Sequence, residues 1–172
     1  MLGGMGRFVL GVLFGIVICF LAGTFVLTPT IMPVFSPEGG HEIISLIDSA
    51  QKTLDIEMYV FTSRDVVEAL ERAKARGVDV RVIIERNVIS GGNDAMYQEL
   101  AAKGFNIRYA SRIYALTHSK FMIIDGGAVL VGSHNFSNSA LYENREASVI
   151  IRSADIARQF ADVFATDWAI AT

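Results

Sequence analysis

A chain of 172 residues has room for one domain of ordinary size. Its 15 Lys and Arg against 18 Asp and Glu exclude an overall basic field of the kind that concentrates nucleic acid, and any such groove has to be local. The lone cysteine, Cys19, excludes an internal disulfide.

The apolar residues, 52% of the chain, are concentrated at the start. Phe8 to Leu27 carries no charge, and Thr24 is its only clearly polar side chain. As a helix this run is long enough to cross about 30 Å of hydrocarbon. It exceeds the core length of a signal peptide, and Thr28-Pro29-Thr30 offers no small-residue cleavage site, so residues 1–28 read as a retained anchor, with secretion after signal cleavage as the alternative. Arg7 precedes the run, while Glu38, Glu42 and Asp48 are the first charges after it. The positive-inside bias then leaves the amino terminus in the cytoplasm and the domain on the outer, periplasmic or extracellular side.

Residues 29–40 hold all three prolines and read as a linker, which leaves residues 41–172 as the domain. Ile43, Ile44, Ile47 and Ala50 fall at helical spacing between Glu42 and Lys52. Thr53 to Phe61 alternates, with Leu54, Ile56, Met58 and Val60 on one side and Asp55, Glu57 and Tyr59 on the other, as a strand does. Ser63 is placed to cap a helix with the stripe Val66, Val67, Leu70 and Ala73, which ends at Gly77. Val78–Glu85 reads as a second strand, Asp94–Lys103 as a helix and Phe105–Tyr109 as a third strand. A loop, 110–117, carries Arg112 and Tyr114, which can grip a phosphodiester or stack on a base. After a hairpin through Gly126-Gly127 come a capped turn at Ser137, a strand from Glu146 to Ile151, and a helix capped by Ser153 with Ile156, Phe160, Val163, Phe164 and Trp168 on one face. Strands alternating with helices predict an α/β domain built on a mixed β-sheet flanked by helices, preceded by one transmembrane helix.

The stretch His118 to Asn135 interrupts apolar strand runs with an imidazole, an ammonium, a carboxylate, a hydroxyl and a carboxamide. Residues two apart on a strand share a face, so His118 and Lys120 project together, as do Ser133 and Asn135. The set suits a phosphoryl group: Lys120 as a point charge, Ser133 and Asn135 as neutral donors, His118 as nucleophile or proton carrier. A metal site fits less well, because Lys120 would repel the cation and no second close His or carboxylate completes a ligand set. Alternation turns Asp125 and His134 away from His118, and His41 lies before the first helix.

His118, Lys120, Asp125, Gly132, Ser133 and Asn135 match every position of the HKD motif of the phospholipase D superfamily, and the resemblance extends over residues 36–170. The chain resembles most the small single-motif members, bacterial endonucleases and mitochondrial membrane-anchored phosphodiesterases. That resemblance implies a catalytic set of His118, Lys120, Asp125, Ser133, Asn135 and Glu146, with Glu146 orienting a catalytic histidine, and no metal or cofactor. It implies hydrolysis through a covalent phosphohistidine, with the second histidine supplied by a homodimer. DNA or RNA is the expected substrate. A membrane phospholipid cleaved to phosphatidic acid is the alternative, and a non-catalytic phosphodiester-binding module stands third.

Overall fold

The computed structural model describes residues 29–88 and 92–172. Its strands are β1 (Thr30–Phe35), β2 (Thr53–Met58), β3 (Asp79–Ile84), β4 (Asn106–Tyr109), β5 (Lys120–Ile124), β6 (Ala128–Gly132) and β7 (Ala147–Arg152). They form one sheet in the order β1-β7-β6-β5-β2-β3-β4. Strands β2, β3 and β4 run parallel, because α2 (Arg64–Ala75) and α3 (Asn93–Ala102) carry the chain back between them. Every other pairing is antiparallel. The mixed α/β sheet expected from the alternation is present.

Two unequal cores flank the sheet. On one face α1 (Gly40–Asp48), α2, α3 and α4 (Asn138–Tyr142) bury Ile43, Ile47, Leu70, Leu100 and Leu141 against Leu54, Ile56, Met122 and Leu130. On the other face α5 (Ala154–Ile170) packs Ala157, Phe160, Phe164 and Trp168 over Phe121, Ile123 and Val129. The α5 layer changes the reading of β2. Its polar side, which alternation alone would turn to solvent, lies beneath a helix: Asp55 is 8% exposed and Glu57 2%. Asp55 is paired there by Arg81, whose Nε and Nη2 donate to its two oxygens at 2.7 and 2.8 Å.

Three local expectations are corrected. Residues 30–35, within the expected linker, form β1, paired along its length with β7. Pro33 obscures the strand in the sequence, but it sits on a sheet edge, where a missing N–H is tolerated. The first helix ends at Asp48 instead of running to Lys52, and the N–H groups of Gln51, Lys52 and Thr53 turn to the Asp125 carboxylate. Ser63 occupies the start of α2, but its hydroxyl makes no cap bond and is buried without a partner among the described residues. Ser137 and Ser153 do cap, accepting from Ala140 and Ile156.

Among the described residues no helix is long and apolar enough to cross a membrane. The expected anchor, Phe8 to Leu27, lies outside the described residues.

Candidate active site

The site is built where β5 starts, β6 ends and the chain leaves β2. Lys120 opens β5 opposite Met58, and His118 lies two residues earlier, just outside the strand. Past Gly132 the chain follows β7 closely, with Ser133 N donating to Ala147 O at 2.9 Å. It then crosses to the extension of β2, where Phe136 N donates to Val60 O at 3.0 Å and Thr62 N to Phe136 O at 2.7 Å. This crossing carries Asn135 to the end of the sheet that holds His118. Gly132 makes it possible, because a Cβ there would collide with the backbone of Ala147 and Ser148 on β7.

His118 is exposed, with its ring against Tyr59 at 4.3 Å between centroids, tilted 50°. Lys120 Nζ lies 3.3 and 3.4 Å from the two ring nitrogens of His118, donates to His118 O at 2.9 Å, and sits 5.0 Å above the Tyr59 ring. Partial burial holds the Lys120 ammonium below the usual lysine range, with the nearby Glu146 carboxylate pulling the other way. Asn135 Oδ1 accepts from Val60 N at 3.2 Å, which fixes the amide. Its Nδ2 has no protein partner among the described residues and is left as a donor. An exposed imidazole, an ammonium and a carboxamide donor thus meet at one end of the sheet, the pieces needed to attack a phosphate and hold the charge that develops on it.

The remaining residues of the expected set take other places. Ser133 Oγ donates to Glu146 Oε2 at 2.5 Å and accepts from Ala147 N at 2.9 Å, so its proton is already engaged within the chain. Glu146 makes no hydrogen bond to His118 within the chain; its other oxygen accepts from Asn144 Nδ2 at 3.3 Å. Asp125 lies at the far end of β5, roughly 20 Å from His118 along the strand. Asp125 and Gly126 both have positive φ, 52° and 61°, and Gly127 N donates to Ile124 O at 2.9 Å, so the tight turn inside the three-residue loop 125–127 centres on this pair and not on Gly126-Gly127. The Asp125 carboxylate accepts from Thr53 N at 2.9 Å, Gln51 N at 2.9 Å and Lys52 N at 2.7 Å. Burial pushes that carboxyl up, but the three amides outweigh it and hold it below the usual range.

His134 turns into the core, 2% exposed, with Nδ1 2.7 Å from Ser148 Oγ and Nε2 unpartnered. Burial lowers its pKa, opposed by Glu146. His41 rests on α1 against Tyr142. Arg112 and Tyr114 are exposed on the 110–117 loop and line a polar cavity, apart from the His118–Lys120 cluster. No three His, Cys, Asp or Glu side chains among the described residues gather into a metal-binding group.

Two features escaped the sequence reading. Beside His118 and Lys120 a cleft of about 470 Å³ opens between β5, β6 and α5, walled by Phe121, Val131, Phe160 and Val163. Beneath the site, Ser119 donates its hydroxyl to the buried Glu57. A carboxylate on a central strand was the signal available for the second; the first depends on how α5 is seated.

A family model described as cardiolipin synthase, PLD-like domain, matches residues 43–168. The phospholipase D of Rickettsia conorii is 28% identical over 128 residues, 73% of this chain and 63% of that protein. The mitochondrial cardiolipin hydrolase of Mus musculus is 28% identical over 120 residues, 70% of this chain and 53% of the other. The chain therefore spans less than two thirds of the length of these relatives. Among solved structures, the phospholipase D family member Nuc from Salmonella typhimurium superposes with a TM-score of 0.77 at 31% identity, over 84% of this chain and 97% of Nuc. NucT from Helicobacter pylori, at 19% identity and a TM-score of 0.70, shares the fold. With a family match that spans most of the chain and a site assembled from the same motif, this protein belongs to the phospholipase D superfamily.

Proposed function

We propose that the chain hydrolyses phosphodiesters without a metal, with nucleic acid as substrate. A ring nitrogen of His118 attacks phosphorus, and the bond to the leaving oxygen breaks as a second histidine gives that oxygen a proton. The same second histidine then takes a proton from water, the water oxygen attacks phosphorus, and the P–N bond breaks to free His118. Lys120 Nζ and Asn135 Nδ2 stabilise the negative charge on the phosphoryl oxygens in both steps. The observation that carries this reading is the convergence of exposed His118, Lys120 and the free Asn135 amide at one strand end.

The second histidine comes from a homodimer. His134 is buried with Nδ1 on Ser148, and His41 rests against Tyr142. Two copies facing across a two-fold axis supply two His118 side chains. Phe8 to Leu27 anchors the dimer in a membrane, with the catalytic domain on its outer side.

The test uses the detergent-solubilised full-length chain with labelled DNA and RNA in EDTA. Metal-free cleavage is expected, together with an acid-labile, base-stable phosphoryl adduct that His118→Ala abolishes while the fold survives. Cleavage that requires added metal would refute the mechanism. A phospholipase reading has one observation of its own, the apolar cleft beside His118 and Lys120, which suits an acyl chain. Release of phosphatidic acid from liposomes without nuclease activity would favour it. Binding of phosphodiesters without turnover would leave the non-catalytic module.

A further inference from the structure

Beyond the carboxyl ends of the parallel strands β3 and β4 lies a polar cavity of about 390 Å³, lined by Glu85, Arg86, Asn87, Ser111, Arg112 and Tyr114. Open α/β sheets present ligand crevices at such strand ends. The Arg86 guanidinium stacks on the Tyr109 ring, 3.7 Å from its centroid, an arrangement that leaves its N–H edges free to fork onto an anion. Tyr109 is itself held, its hydroxyl donating to Asp94 at 2.7 Å and its ring stacked on Tyr97 at 4.0 Å. Neither Arg86 nor Arg112 forms an ion pair or a side-chain hydrogen bond among the described residues, unlike Arg64, Arg72 and Arg81. The one acid in the wall, Glu85, is 5% exposed and accepts from the N–H groups of Asn87 at 2.7 Å and Thr117 at 2.8 Å. Two guanidinium groups therefore outweigh one inward-held carboxylate. Tyr114, 49% exposed, adds an aromatic face, and the loop that carries it continues through Thr117 into His118.

We propose that this cavity is a second nucleotide subsite, in which Arg86 and Arg112 hold another phosphate of the strand whose scissile phosphate lies at His118, and Tyr114 stacks on the attached base. A phosphate fork beside an aromatic face matches a nucleotide unit, whereas a lipid headgroup offers no planar ring to stack. The subsite rests on the nucleic-acid reading of the His118 site and narrows it to a polymer held by more than one phosphate.

The experiment compares three substrates on the detergent-solubilised chain: a single-stranded oligonucleotide, with many phosphates, bis(4-nitrophenyl) phosphate, with one, and cardiolipin vesicles, whose lipid carries two. Arg86→Gln combined with Arg112→Gln is expected to lower kcat/KM for the oligonucleotide at least about tenfold more than for the small diester, mainly through KM, and to flatten its salt dependence. Tyr114→Ala adds to the KM effect. An equal fall on the oligonucleotide and the small diester, or no fall on either, overturns the subsite. Arg112→Gln alone, at an exposed side chain with no ion pair or hydrogen bond among the described residues, keeps the comparison valid if the double variant loses its thermal transition. If the wild-type chain turns over the small diester but no oligonucleotide, the nucleic-acid reading fails and the subsite with it. A loss confined to cardiolipin vesicles assigns the cavity to a two-phosphate lipid and refutes the nucleotide proposal.

Discussion

Replacing Glu57 by Gln is expected to stabilise the protein at alkaline pH and to leave it unchanged at acid pH. Glu57 lies on β2 beneath α5, 2% exposed. One carboxyl oxygen accepts the Ser119 hydroxyl, the other has no N–H or hydroxyl donor among the described residues, and Asp167 of α5 brings a second carboxylate alongside. Burial pushes the Glu57 carboxyl up, the Ser119 bond opposes, and Asp167 adds to the rise, to about 7 from an ordinary 4.5. An acid whose pKa is raised by folding favours the native state fully below its unfolded value and loses that contribution as pH climbs through the folded value. The window here is pH 4.5 to 7. Across it the native state loses about 3 kcal/mol of stability, at 1.36 kcal/mol for each pKa unit. Gln cannot ionise, still accepts from Ser119, and can turn its amide N–H toward Asp167. At pH 8 Glu57→Gln should therefore unfold about 5–10 °C higher than the wild type, with the gap closing by about pH 4. Thermal unfolding of both proteins, followed by circular dichroism at unit intervals of pH, measures this. A difference that does not vary with pH, or a variant less stable at pH 8, would show that Glu57 does not titrate in this window.

Asp125→Ala removes the acceptor of three backbone N–H groups at an exposed turn. It should cost about 1–2 kcal/mol at neutral pH, after allowance for solvent screening, with a thermal shift that outweighs any fall in turnover. Because the Asp125 pKa is depressed, this contribution is present above the ordinary carboxylate pKa and fades as pH falls through the folded value. Turnover abolished with an unchanged thermal midpoint would return Asp125 to the catalytic set. Gly132→Ala drives a methyl into the β7 backbone and should destabilise by about 2–3 kcal/mol, read from the same thermal midpoint. Asn135→Ala removes one donor to the developing charge, so kcat on a small diester should fall about 100-fold while KM changes little, with a modest drop in thermal midpoint from the lost acceptor for Val60 N. A KM effect alone would assign Asn135 to ground-state binding.

The central strands and the motif could be read from the residues because both rest on local order. Alternation in Thr53–Met58 and the apolar runs on either side of Asp125 need no partner to be recognised, and the two-residue period places His118 with Lys120 before any fold is known. The edge strand β1 was not legible. Pro33 and only one buried residue, Val34, leave it without a pattern, and its existence depends on β7 offering an edge. The contact of Asp125 was not legible for a related reason: alternation turns it away from His118, and its partners are amides more than 70 positions earlier in the chain.

Residue identity and spacing thus determined the family motif, the mixed sheet, and the pairing of an imidazole with an ammonium at one strand end. Tertiary structure alone decided which of those polar groups remain free. The Ser133 hydroxyl is taken by Glu146 and His134 is turned onto Ser148, while Asn135 keeps Nδ2 open because Val60 engages only its oxygen. Hydrogen bonds between residues distant in sequence make that division, since a donor already satisfied by the protein has little left for a substrate.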